Sequence, residues 1–307
     1  MSGGELFVRF VLWRCLAIRD GWLIILFDEV TFSGLGWAPY LNDLLSMNPM
    51  SRSMTLPESL LVEDRGAVRV ITMNRPDKRN ALNNELTQGL LEALRDADQN
   101  PAVGAIVLAG AGQSFCAGAD VKEFGGFVAG GTDADAAQSA LKRAHLTTSL
   151  HRAFTEIGTP VVGAAQGYAM GGGAGLALAC DLLVVGESLK LGYPELKHGI
   201  VAAIVMANLV RQVGRKTAFE LVSTGDTVDA SRAMALGIAN RVSPDATLVD
   251  DAVALAARLA DYDPVAMTAT KRLFHRVVDL PLTQAFDVSL DTNMMMRSFR
   301  KPAPKQS

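Results

Sequence analysis

Cysteine is scarce in this 307-residue chain: Cys15, Cys116 and Cys180 are all there is. They are too few and too scattered for a disulfide framework or a clustered metal site. Cys116 and Cys180 sit among apolar or small residues and read as small core hydrophobes. This usage fits a reducing, cytoplasmic setting. The four histidines, His145, His151, His198 and His275, show no metal-ligand spacing either, and each reads as a surface or packing residue. Excess positive charge is also missing. Lysine and arginine total 29 against 32 for aspartate and glutamate, a formal net charge of −3, and no dense basic run occurs. Nothing here invites nucleic acid.

No apolar run reaches the roughly 20 uninterrupted residues of a membrane-spanning helix. Phe7 to Ile18 is broken by Arg9 and Arg14; Trp22 to Phe27 is flanked by Arg19, Asp20, Asp28 and Glu29. Those charges, with no small-residue cleavage site after them, argue against a signal peptide. A dinucleotide fingerprint with its acidic partner is absent as well, so no metal or redox cofactor is implied. Residues 1–53 read as an atypical N-terminal extension, either a disordered tail or a non-native product of an upstream start codon.

Well-punctuated sequence starts near Met54. Residues 67–73 alternate and are rich in β-branched side chains, which predicts a strand. Leu82, Leu86, Leu90, Leu91 and Leu94 fall on one helical face, with Asn83 or Asn84 as cap. Val103 to Leu108 is a near-continuous apolar strand of the kind covered on both faces. The region 124–132 is glycine-rich and reads as a mobile loop. A helix is predicted over 133–156 and short buried strands at 161–165 and 182–185. Beyond about Ile200 the pattern turns helical, with segments at 203–213, 216–223, 230–236, 248–259, 264–277 and 281–291. Strands alternating with helices, then helices alone, predict an α/β core over 54–255 and a helical region with a solvated tail over 256–307.

Two glycine turns carry the chemistry. Gly167-Tyr168-Ala169-Met170-Gly171-Gly172-Gly173 lies between an apolar strand and a small-residue helix. Free backbone N–H groups gather at such a helix start, and glycine lets a ligand oxygen approach the main chain. Ser114-Phe115-Cys116-Ala117-Gly118-Ala119-Asp120 offers the same arrangement after the strand ending at Leu108. Two such turns can supply two convergent N–H donors, which is what an oxyanion hole needs. Ser139 and Ser149 near His145 and His151 make no nucleophile–base pair, because they lie on one predicted helix without an orienting carboxylate in register.

With these turns stand Asn74-Arg75-Pro76-Asp77-Lys78-Arg79-Asn80-Ala81-Leu82, Ala179-Cys180-Asp181, Pro194-Glu195, Gly214-Arg215, Thr224-Gly225 and Ala233-Met234-Ala235-Leu236-Gly237. In this order and spacing, from about Leu56 to Arg297, the chain resembles the crotonase, or enoyl-CoA hydratase/isomerase, superfamily. The resemblance implies an α/β fold, a crotonase-like stacked ββα superhelix with a helical C-terminal region, assembled as trimers or hexamers. It implies an acyl-CoA thioester substrate of fatty acid metabolism, with coenzyme A entering as part of that substrate and no separate cofactor. The backbone amides of Ala119 and Gly172 would form the oxyanion hole. Lys78, Ala81, Ala117, Asp120, Val121 and Lys122 would line the coenzyme A groove.

Hydratases of the family resemble a two-glutamate design. At the first of those positions this chain has Gly175; at the second it has Glu195. One carboxylate suffices to move a proton between the α and γ carbons of an enoyl thioester, so double-bond isomerisation is expected ahead of hydration. Tyr193, Asp120 and Glu123 are candidates for a second polar group. Two other readings remain: an acyl-CoA-binding homologue without catalysis, motivated by Gly175, and an RNA-binding relative, which lacks the expected row of lysines.

Overall fold

A computed structural model describes residues 18–19, 22–23, 56–120 and 134–299. The chain divides into two compact units, 1–54 and 55–307. In the first, β1 (Ile18–Arg19) and β2 (Trp22–Leu23) form a short antiparallel ladder.

The second unit is built on a six-stranded sheet in the order β10-β8-β6-β5-β4-β3. Its strands are β3 (Leu60–Arg65), β4 (Val68–Met73), β5 (Ala105–Gly110), β6 (Val161–Ala165), β8 (Leu182–Gly186) and β10 (Arg241–Ser243). Only β3 runs antiparallel to its neighbour; the other pairs are parallel. The expected strands at 67–73, 103–108, 161–165 and 182–185 are β4, β5, β6 and β8. Parallel strands need covered faces, and β5 is buried at every residue.

One face is covered by α6 (Leu248–Ala260), whose Leu248, Ala252, Leu255 and Ala256 lie on Val70, Val107, Val162 and Val184. On the other side lies α1 (Asn84–Gln99), with Leu86, Leu90 and Leu94 buried. Asn83 caps α1 by accepting from the Leu86 amide at 2.9 Å. The helix α2 (Ala134–Glu156) packs beside α1.

Between β6 and β8 the chain makes β7 (Tyr168–Met170) and α3 (Gly172–Ala179). β7 pairs in parallel with β9 (Lys190–Gly192), a second small sheet. After β9 come α4 (Ala203–Thr224), α5 (Ala230–Ala235), α7 (Pro264–Val277) and α8 (Leu282–Ser298). α4 joins the two expected segments 203–213 and 216–223 across Gly214, whose φ of 77° and ψ of 167° interrupt the helix. The glycine-rich region 124–132 lies outside the described residues.

α7 is held to the core by a buried polar anchor. Lys271 Nζ lies 2.7 Å from Asp181 Oδ2 and donates to Thr159 O at 2.9 Å. His275 sits 3.2 Å from the other oxygen of Asp181. Outward from this anchor α7 and α8 carry bare apolar side chains: Phe274, Leu282, Phe286, Leu290 and Met294 are all exposed.

Candidate active site

The segment carrying Ala119 is stitched on both sides. Ala117 N donates to Arg79 O at 2.8 Å, Leu82 N to Gly118 O at 2.7 Å, and Asp120 N to Leu82 O at 2.9 Å. On its other side Cys116 N donates to Tyr168 O and Met170 N to Cys116 O, each at 2.9 Å. In this parallel stitching the amide of Ala119 is left over. The amide of Gly172 is left over for a different reason: it opens α3, where the first N–H groups lack an intrahelical acceptor. Among the described residues neither amide donates to a protein acceptor.

The two bends lie against each other. A Cβ at Gly118 would fall 2.6 Å from Met170 O and 3.4 Å from Gly172 N. Gly118 also needs φ +89°, so any side chain there is excluded twice over. Gly173 is as tightly constrained: a Cβ would meet Cys116 O at 2.1 Å. Asn80, fully buried at φ 55°, locks the preceding turn. Its Oδ1 accepts from Arg75 N at 2.8 Å, and its Nδ2 donates to Ala111 O at 2.9 Å and Ser114 O at 2.7 Å.

Glu195 reaches this corner from the single-turn 3-10 segment Glu195–His198. Its Oε1 would lie 2.8 Å from a Cβ on Gly171, the residue before the Gly172 amide. Gly171 has φ +51° and no side chain, and both properties let the carboxylate in. Glu195 Oε2 is buried without a hydrogen-bond partner, as is the hydroxyl of Tyr193. Burial pushes the Glu195 pKa up, against weaker lowering by its own backbone amide and by His198. Loss of water likewise raises the Tyr193 phenol, with the Glu195 charge adding to it.

Lys78 is exposed at the end of the 3-10 turn Pro76–Lys78, and Ala81 and Ala117 are half-buried beside it. Asp120 is engaged by Arg75 at 3.0 Å, and Arg75 also donates to Ala81 O. Val121, Lys122 and Glu123 lie outside the described residues. Cys116 is buried and its pKa pushed up to about 12 by desolvation, so it stays a neutral thiol. Among the described residues no group of three His, Cys, Asp or Glu is placed to hold a metal, and no helix is long and apolar enough to cross a membrane.

A family model for enoyl-CoA hydratase/isomerase matches residues 63–305. The chain belongs to the enoyl-CoA hydratase/isomerase family. It is 40% identical over 234 residues to a putative enoyl-CoA hydratase of Thermus thermophilus, covering 76% of this chain and 90% of that relative. It is 34% identical over 231 residues to the mitochondrial enoyl-CoA hydratase of Pongo abelii, covering 74% and 76%. A putative enoyl-CoA hydratase structure from Streptomyces coelicolor superposes with a TM-score of 0.73 at 33% identity, covering 82% of this chain and 92% of that one. The fold is therefore the crotonase fold, and the chain is an acyl-CoA enzyme of this family.

One feature of the corner has no counterpart in the sequence reading. His151, on α2, is buried and arrives beside Gly175 on α3. Of the two roles expected for it, surface or packing, His151 takes the packing one: it lies inside, in contact with the helix that carries Gly172. A sequence-level signal was present only indirectly, as the missing side chain at 175.

Proposed function

We propose that the chain stabilises a thioester enolate with the amides of Ala119 and Gly172 while Glu195 moves the proton. The observation that carries this reading is a half-buried carboxylate in contact with Gly171, one residue from an unpartnered helix-start amide. A thioester oxygen held by both amides gains electron density as the α-proton leaves, and preorganised donors act where that charge develops. The N-terminal end of α3 adds its positive dipole. Each donor lowers the barrier by on the order of 3 kcal/mol.

In isomerisation the Glu195 carboxylate takes a proton from C2 of a 3-enoyl thioester. The electron pair moves onto the thioester oxygen, the double bond shifts, and the same proton returns at C4. This needs one carboxylate and no water, so isomerisation is the favoured reaction. A raised pKa brings the base nearer to neutrality, where it exchanges protons most efficiently. Lys78, Ala81, Ala117, Asp120, Val121 and Lys122 line the coenzyme A groove in this reading, and no metal or redox cofactor takes part.

Hydration is the second reading, favoured by the name enoyl-CoA hydratase that the relatives carry. A non-catalytic acyl-CoA-binding role is the alternative raised by Gly175. Assembly into homotrimers or hexamers in a cytoplasmic setting completes the proposal; the bare apolar stripe of α8 supports the assembly. The test is Glu195→Gln assayed on 3-enoyl and 2-enoyl coenzyme A esters. Loss of turnover with coenzyme A ester binding retained is expected. Retained turnover on both substrates removes Glu195 from the chemistry.

A further inference from the structure

Position 175 is one turn into α3, three residues after Gly172 and on the same helix face. A Cβ there would fall 2.3 Å from Val205 Cγ1 and 2.7 Å from His151 Nε2. The room in which a side chain of residue 175 would start is thus already taken, in part by an imidazole nitrogen. That nitrogen has no hydrogen-bond partner and His151 is 7% exposed. An orphaned buried polar atom is costly and calls for a reason. The other ring nitrogen is accounted for: Nδ1 lies 2.9 Å from Thr147 O. A carbonyl oxygen only accepts, so Nδ1 carries the proton and Nε2 presents a lone pair.

Glu195 therefore meets the α3 start at Gly171 and His151 meets the same helix at Gly175, one residue before Gly172 and three residues after it in the chain. We propose that His151 is the second polar group of this site, accepting through Nε2 a hydrogen bond from the water that adds to an enoyl thioester. The proposal rests on the functional reading above and extends it to hydration. One hydrogen of the water passes to the Glu195 carboxylate as the oxygen bonds to C3 and the C2–C3 π pair moves onto the thioester oxygen. Glu195 then delivers that proton to C2 as the enolate collapses. The other hydrogen points at Nε2 throughout and stays on the oxygen as the product hydroxyl. Desolvation lowers the His151 pKa, outweighing the carbonyls of Thr147 and Gly172, and so favours the neutral imidazole over the cation.

The experiment compares the full chain with its His151→Leu and His151→Gln variants. It measures hydration of 2-enoyl coenzyme A esters, isomerisation of 3-enoyl esters and affinity for saturated acyl coenzyme A. His151→Leu is expected to lower the hydration kcat at least about 100-fold. Affinity for the saturated ester, which rests on the two amides and the coenzyme A groove and not on His151, stays within about threefold, as does any isomerisation. His151→Gln keeps a polar end in a similar volume and recovers part of the hydration rate. The proposal is overturned if hydration survives His151→Leu, if the ratio of hydration rate to ester affinity is unchanged in both variants, or if the parent hydrates no 2-enoyl ester. Should Glu195→Gln leave turnover intact, the functional reading fails instead; should Glu195→Gln abolish turnover and His151→Leu leave hydration unchanged, only His151 is removed.

Discussion

The corner around Gly172 and the pair α7–α8 are opposite kinds of surface. At the corner the main chain is fixed from every side, and the apolar residues behind it, Phe115, Cys116, Leu176 and Tyr193, are buried within one chain. In α8 no residue is buried, and Leu282, Phe286, Leu290 and Met294 repeat every fourth residue in the open. The first region is packed within a single copy. The second has an interior-like face that nothing among the described residues covers. The lesson is that rigidity and completeness are not spread evenly: the fold spends its packing where atoms must sit within tenths of an ångström of each other.

The strongest way to break the contrast is to add one methyl group at the corner. Gly173→Ala sets a Cβ against the Cys116 carbonyl. Overpacking of main chain is expected to cost about 3 kcal/mol or more, which calorimetry would read as a melting midpoint lowered by roughly 6–12 °C. An unchanged midpoint would show that the corner yields. Next comes Glu195→Gln, which lowers kcat/KM by about 10²- to 10⁴-fold. In the parent, kcat/KM rises with pH on an acid limb above the ordinary carboxylate range, because the base must be ionised and burial holds its pKa up. The stability sign is the reverse. A carboxyl bound more tightly to its proton in the folded state stabilises fully below its unfolded pKa, and that contribution is lost as pH rises through the folded value. Glu195→Gln removes this loss, so its stability falls less than the parent's over that window.

On the other surface, Phe286→Asp with Leu290→Asp is expected to shift the sedimenting species toward single-chain mass while the isolated fold persists. A single-chain parent, or variants that sediment as the parent does, would deny α8 its role. The smallest effect belongs to the exposed ion pair Arg211–Asp279, 2.9 Å apart. Arg211→Ala should cost no more than about 1 kcal/mol in chemical denaturation.

The same contrast governs what could be read from sequence. Val68 to Met73 is rich in β-branched residues and buried at every residue but Thr72, and Ala105 to Gly110 is uniformly apolar because both faces are covered. Such elements announce themselves. β3 did not, because Leu60-Leu61-Val62-Glu63-Asp64-Arg65 is an edge strand with mostly exposed charges. The three-residue strands β7, β9 and β10 are too short for any period to show. At the candidate site, the bends that carry Ala119 and Gly172 and the approach of Glu195 to Gly171 involve stretches that stood out in the sequence, because glycine turns and a proline-flanked glutamate are local signatures. His151 was not. Its meaning depends on a gap at Gly175, 24 positions away, and a period-based reading sees only a histidine on a helix.

The bonds between Cys116 and residues 168–170 join stretches separated by half a hundred positions. A chain still emerging with only Asp120 outside the ribosome holds one of the two amides and nothing to lay it against. Loop closure must come before that partner arrives. On the proposed function, thioester capture is then a property of finished assembly, gained with the slow distant pairings and not with the early helices.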